Sequence, residues 1–181
     1  MGLGRRLKFP DDFFTLYNEL SYQRYHLNRY RSTMGGFAFS DGTSHNFHLT
    51  TTLTRNSVNS PIYPRSGAKF SLSLEATPPW SLMMMTITGK EKDYSQLPAN
   101  EKYKLIEYHK WSFKSEYYFK LAGDLVMMAR AQFGFLGIYN QKIGPSPFES
   151  FDLGGSGMMF SYNLYGREIV ALRGYQDQSL T

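Results

Sequence analysis

The 181-residue chain has no cysteine, no long apolar run and no dense block of like charge. Without cysteine it can be neither a disulfide-stapled scaffold nor a thiol enzyme. No stretch approaches the roughly 18 apolar residues of a membrane-spanning helix, so a helical membrane protein is excluded; the mean hydropathy of -0.43 agrees. The formal net charge is +5, yet the basic residues are scattered among acids. That distribution reads as solvated surface and not as a nucleic-acid footprint. Met1 is followed by no basic and apolar leader, which leaves either a cytosolic protein or a chain whose true start lies upstream.

Catalytic and cofactor signatures are also missing. His45 and His48 stand an odd number of residues apart, which on a strand puts them on opposite faces and denies them a shared metal. Gly154-Gly155-Ser156-Gly157 lacks the Lys-Ser/Thr of a phosphate loop and does not fit the nucleophile-elbow pattern. Arg173-Gly174-Tyr175 opens like an RNA-binding RNP1 motif, but Gln176-Asp177-Gln178 breaks it. No Ser, His and acid set has a supportable geometry, so the expectation is no enzyme, no metal and no cofactor. Met83-Met84-Met85 and Met127-Met128 read as adaptable apolar filling.

What the chain does have is aromatics, with 14 Tyr, 14 Phe and 2 Trp, more rings than one compact core readily hides. They fall in stretches of period two. Phe14, Leu16, Leu20 and Tyr22 alternate with Thr15, Tyr17, Glu19, Ser21 and Gln23; Phe47, Leu49, Thr51 and Leu53 alternate with His48, Thr50, Thr52 and Thr54. Phe70, Leu72 and Leu74 alternate with Lys69, Ser71, Ser73 and Glu75. Trp111, Phe113, Tyr117 and Phe119 oppose Lys110, Ser112, Lys114, Glu116 and Lys120, and Met127, Ala129, Ala131, Phe133 and Phe135 oppose Arg130, Gln132 and Gly134. The central parts of the apolar faces carry no charge. Six strands are expected, at about 3–9, 13–27, 45–55, 68–76, 104–120 and 125–138, followed by a glycine-rich loop over 139–181.

Alternation alone also describes a soluble β-sandwich that binds sugar or nucleic acid. Strand length and connections favour a membrane barrel, whose strands need about 9–11 tilted residues and whose turns are short on one side and long on the other. Here Pro10-Asp11-Asp12, the stretch 56–67 and Ala122-Gly123-Asp124 are the shorter connections, against 28–44 and 77–103. Six strands cannot close a barrel, and in lipid an open sheet edge leaves backbone groups unpaired. The chain is therefore expected to be a piece of a larger, all-β, antiparallel transmembrane barrel.

Three groups of residues then resemble the Omp85 outer-membrane proteins over nearly the whole length, most closely the BamA-type assembly factors in their Bacteroidetes form. Gly2-Leu3-Gly4-Arg5-Arg6-Leu7-Lys8 with Phe9-Pro10-Asp11-Asp12 is similar to a mid-barrel strand and periplasmic turn. Arg55, Asn56, Pro61, Tyr63-Pro64 and Gly67 resemble the family's Arg-Asp/Asn, Pro, Pro, Gly turn. Pro147, Phe148 and Glu149, then Leu153, Gly154 and Gly155, and finally Leu172, Arg173, Gly174 and Tyr175 resemble its sixth extracellular loop with an Arg-Gly-aromatic docking tip.

The resemblance implies a barrel of about sixteen strands preceded by periplasmic POTRA domains, with this chain as strands six to eleven plus the sixth loop. It implies that Arg173 pairs with acidic groups on the inner wall, mainly on strands outside this chain. It also implies an outer-membrane protein that folds and inserts other β-barrels, with outer-membrane lipids, unfolded client proteins and assembly-complex lipoproteins as partners and no nucleic acid. A related secretion or translocation barrel and a passive porin are the alternatives.

Overall fold

The computed structural model of the protein describes residues 1–29, 39–89, 93–155, 166–172 and 174–176, with Arg167 described by its backbone only. Its main feature is a six-stranded antiparallel sheet in which every strand lies beside its sequence neighbour: β1 (Gly2–Arg6), β2 (Phe14–Leu27), β3 (Gly42–Asn56), β4 (Gly67–Ala76), β5 (His109–Ala122) and β6 (Leu125–Gly137). In the β1–β2 register Gly2 faces Glu19 and Arg6 faces Thr15. β2, β3, β5 and β6 run for 14, 15, 14 and 13 residues. Globular strands are typically about 5–6 residues long, so these are long enough to cross a bilayer core and emerge from it.

By packing, the chain forms two compact units, and β2, β3, β5 and β6 each contribute to both. The first comprises Met1–Leu20, Leu49–Glu75 and Lys110–Phe135. Among its described residues no large apolar side chain is buried; Leu20, Leu49, Leu72, Met127 and Phe133 are all exposed. A soluble sheet packs one face against another layer to hide such side chains. Among the described residues of this unit no such layer covers the apolar face.

The second unit comprises Ser21–His48, Ala76–His109 and Leu136–Thr181. Phe39, Ile106, Tyr108 and Phe148 form its buried core, flanked by Tyr25, Leu27, Ala99, Tyr103 and Leu136. Phe148 stacks on Tyr25 with ring centres 4.5 Å apart and meets Phe39 edge-on at 5.3 Å. Tyr108 is fixed by its backbone: Thr77 N–H donates to Tyr108 O at 3.0 Å, and Tyr108 N–H donates to Thr77 Oγ1 at 2.8 Å. Asn46 Nδ2 donates to the Tyr108 hydroxyl at 3.2 Å.

Three departures from the expected strands have local causes. The stretch 77–103, expected as loop, contains α1 (Trp80–Thr88) and α2 (Ala99–Lys102). Proline precedes each helix, at Pro79 and Pro98, and Gly89 closes α1 in the left-handed conformation (φ 64°), donating its N–H to Met85 O. Proline and glycine at these places are ordinary helix punctuation. Next, β5 begins at His109, not near residue 104, because the preceding residues leave the ladder. There Leu105 bridges to His45 in parallel, while Ile106 and Tyr108 turn into the core.

Last, the segment expected as loop contains β7 (Glu149–Leu153) and β8 (Gly166–Val170), paired in parallel with Glu149 opposite Gly166 and Leu153 opposite Val170. Each is only five residues long, too short to show a period against its glycine-rich surroundings.

Because Phe148 is fully buried among aromatic rings, Phe148→Ala is expected to cost roughly 3–5 kcal/mol of local stability, while Phe148→Leu should cost markedly less. Amide hydrogen exchange at Ile106 and Tyr108 reads this out. Unchanged protection in Phe148→Ala would contradict the core assignment.

Candidate functional site

The most fully built cluster lies where the short turns meet. Arg55 ends β3 and, by strand alternation, shares the face of Phe14 and Phe70, whose rings meet edge-on at 5.7 Å. Its guanidinium lies over Phe13 and Phe14, 5.5 and 5.8 Å from the ring centres. From there Arg55 Nε donates to Asp11 Oδ2 at 2.9 Å, and a second guanidinium nitrogen stands 2.8 Å from the same oxygen. The third nitrogen donates to Ser57 Oγ at 2.9 Å. One side chain thus ties the β1–β2 turn to the β3–β4 turn, using the planar fork that lysine lacks.

Ser57 extends the link, with its hydroxyl donating to Ala68 O at 3.1 Å and its N–H donating to the same oxygen at 2.9 Å. Asn56 N–H donates to Phe13 O at 3.3 Å, and Asn56 Oδ1 accepts from Val58 N–H at 3.3 Å. Gly67 closes the turn at φ +107°, where an added Cβ would fall 2.3 Å from Ser57 O. No side chain fits there. Pro61 is exposed and Pro64 half-buried in the bend between them. Arg65 reaches Asp124 of the β5–β6 turn at 3.5 Å, but both are largely exposed and the pair adds little. The sequence marks Arg55, Asn56, Pro61, Pro64 and Gly67 as one turn; Asp11 and Ser57 as their partners are a structural addition.

Partial burial pushes the Asp11 carboxyl up, but the hydrogen bonds from Arg55 and from Phe13 N–H outweigh it and hold the group below its ordinary value of 3.8. A depressed folded-state value means that the stabilisation is complete above the ordinary value and is lost as pH falls through the folded one.

Side-chain hydrogen bonds sort the strands of the sheet into two faces. Thr51 Oγ1 donates to Asn18 Oδ1 at 2.9 Å, while Thr52 pairs with Ser73 at 3.0 Å and Thr54 with Ser71 at 3.4 Å. These contacts place even residues of β2, odd residues of β3 and even residues of β4 on one face. On the polar face Thr54, Lys69, Ser71, Lys114, Glu116 and Arg130 line a concavity of about 280 Å³. Arg130 lies 3.7 Å from Glu116, and Lys69 and Lys114 line the same concavity. A wall of this composition suits contact with water. His45 and His48 are separated, with His45 Nδ1 hydrogen-bonded to the Tyr22 hydroxyl at 2.8 Å on the apolar face and His48 on the other.

The loop residues fall in the second unit. Pro147 precedes the buried Phe148, whose N–H donates to Ser146 Oγ at 3.2 Å. Gly154 and Gly155 are buried; Gly154 N–H donates to Val170 O and Gly155 N–H to Tyr175 O, both at 3.1 Å. Gly155 also bridges Leu172 in antiparallel fashion. The backbone therefore brings Leu172 and Tyr175 to the paired glycines, with Gly174 at φ +89° in the turn between. Tyr175 is half exposed. Arg173 lies outside the described residues.

Long antiparallel strands, an apolar face, a polar face and short turns stitched together by Arg55 define the class: a mostly β chain whose six-stranded antiparallel sheet does not close on itself and is consistent with part of a barrel. A family model for the Omp85 superfamily domain matches residues 1–181, and the chain belongs to that superfamily. No curated protein matches the chain. Superfamily membership suggests outer-membrane protein insertion or translocation, which are in general not enzymatic activities, in the bacterial outer membrane.

Three outcomes are expected of the turn cluster. Gly67→Ala should destabilise the β3–β4 hairpin by roughly 1–3 kcal/mol through strain and crowding against Ser57, read as a lowered temperature of the heat-modifiable gel shift of the folded barrel. Arg55→Lys should lower it as well. The destabilisation caused by Asp11→Asn should shrink as pH falls from the ordinary carboxyl value through the lower folded one, where the wild-type carboxyl itself becomes neutral; a pH-independent difference would contradict the Asp11 assignment.

Proposed function

We propose that this chain forms part of the barrel of a BamA-type outer-membrane assembly factor, which folds and inserts β-barrel clients. The carrying observation is an apolar sheet face of membrane-spanning strand length that nothing in its own unit covers, in a chain of the Omp85 superfamily. Acyl chains are the solvent suited to that face, and the polar face then lines the lumen. The β1 and β6 edges each have one neighbour, so in a bilayer both require partner strands. The short turns lie on the periplasmic side in this reading, and 28–44 and 77–103 on the cell surface.

The choice of assembly factor within the superfamily rests on the order of the Arg55 turn, the Pro147-Phe148 and Gly154-Gly155 stretches, and the Leu172 to Tyr175 tip. In this reading the tip docks in the barrel, and Arg173 gives its fork of donors to a carboxylate on the inner wall. The hydrogen bond of Gly155 with Tyr175 supports it, since it ties the tip to a buried glycine pair. The partners are outer-membrane lipids, unfolded client proteins and assembly-complex lipoproteins.

Leu72→Arg should cost about 2–4 kcal/mol in barrel folding near mid-membrane, and Ser71→Arg much less. Equal damage from the two would refute the face assignment. Arg173→Lys should impair insertion of a barrel client into liposomes while the barrel itself still folds. If Arg173→Lys and Arg173→Ala both leave client insertion unchanged, the assembly role assigned to the tip fails.

A further inference from the structure

Within the second unit a cavity of about 340 Å³ lies between α1 and the segment that leads from α2 into β5. Trp80, Ser81, Met84 and Met85 line it from the helix, and Leu105 and Glu107 from the segment. Its volume falls in the range of small-molecule sites, which are ordinarily apolar with a few placed polar groups. Met84 and Met85 are unbranched and adaptable, so this wall can fit itself to an apolar ligand.

The placed polar group is Glu107, only 4% exposed. Its Oε2 accepts the Ser81 N–H at 3.0 Å in the first turn of α1, where a carboxylate suits the helix dipole. That contact accounts for one oxygen. The other, Oε1, is buried without a hydrogen-bond partner among the described residues, and so are the Trp80 indole N–H and the Ser81 hydroxyl. Buried polar groups are ordinarily paired, and a buried charge is costly until a counter-charge meets it. Lys102 and Lys104 also line the cavity, but neither gives Oε1 a partner, and the Lys102 ammonium lies over the Tyr103 ring, 5.7 Å from its centre. The Glu107 charge is felt at the cavity wall: after burial, it is the second cause that pushes the phenol of Tyr94, another lining residue, above its ordinary value.

We propose that this cavity binds a primary amine carried on an apolar body, with the ammonium on Glu107 and the body against Met84, Met85 and Leu105. An ammonium donates to Oε1 and neutralises the carboxylate at once, whereas a neutral hydroxyl pairs the atom and leaves the charge. Trp80 adds the aromatic ring best suited to a neighbouring cation. The whole lining belongs to one compact unit, so the inference does not depend on the lipid-facing assignment of the sheet.

The full-length protein, folded in detergent, is titrated near neutral pH with benzylamine and with benzyl alcohol, a neutral probe of the same size, and binding is read by ligand-observed NMR. The amine is expected to bind at least about tenfold more tightly than the alcohol, the scale of a hydrogen bond to a charged group. Glu107→Gln keeps an acceptor for the Ser81 N–H and should erase that difference, while Glu101→Gln, which removes an exposed carboxylate of the same cavity, should leave it. Equal binding of the two probes overturns the proposal, and so does a preference for the amine that survives Glu107→Gln. Binding of neither, the outcome for a cavity that takes only water, overturns it as well. The comparison of probes on the wild type needs no variant, and where Glu107→Gln does not fold, Met85→Trp takes its place: by filling the cavity it should abolish the advantage of the amine, and an advantage that persists there overturns the assignment.

Discussion

Hydrocarbon offers no partner to a backbone N–H or C=O, and most of this chain follows from that constraint. Every strand of the main sheet lies beside its sequence neighbour, so the ladder bonds are made locally and the alternation of side chains is free to sort lipid from water. An uncharged apolar face and a face carrying Lys69, Glu75, Lys114, Glu116 and Arg130 are two consequences of one period. The uncovered Leu72 and Phe133 are a defect for a soluble sheet and a requirement for one in a bilayer.

The constraint relaxes at the strand ends, and the chain spends its specific interactions there. In the first unit Arg55 binds two turns through Asp11 and Ser57, with its charge sheltered over Phe13 and Phe14. The second unit forms a conventional core around Phe148 and Tyr108, and in it the segment after β6 is held by β7–β8 pairing and by the bonds of Gly154 and Gly155. Under the proposed docking of the Leu172 to Tyr175 tip, the Phe148 anchor fixes the base of the loop, as reproducible presentation of a tip requires.

The sheet was legible because period two over 13–15 residues is a strong signal and does not depend on tertiary context. The turn up to Gly67 was legible as a connection between two alternating strands and, with Arg55, by its resemblance to the Omp85 turn, but its partner was not. Asp11 and Arg55 are 44 residues apart, and no local pattern connects them. The helix α1 was hidden by its uniformity: without an amphipathic period, Met83-Met84-Met85 reads as filler. β7 and β8 were hidden because parallel pairing across a 12-residue connection of glycine and aromatics leaves no hairpin signature.

The central claim is that one face of the long strands meets lipid and the other water. Single cysteines from Lys110 to Phe119 along β5, spin-labelled in the reconstituted full-length protein, test it most directly through collision with oxygen and with a water-soluble nickel reagent. The account predicts a period of two, with Trp111, Phe113, Tyr117 and Phe119 favouring oxygen and Ser112, Lys114 and Glu116 favouring nickel. Equal access to the water-soluble reagent at both sets of positions would contradict it.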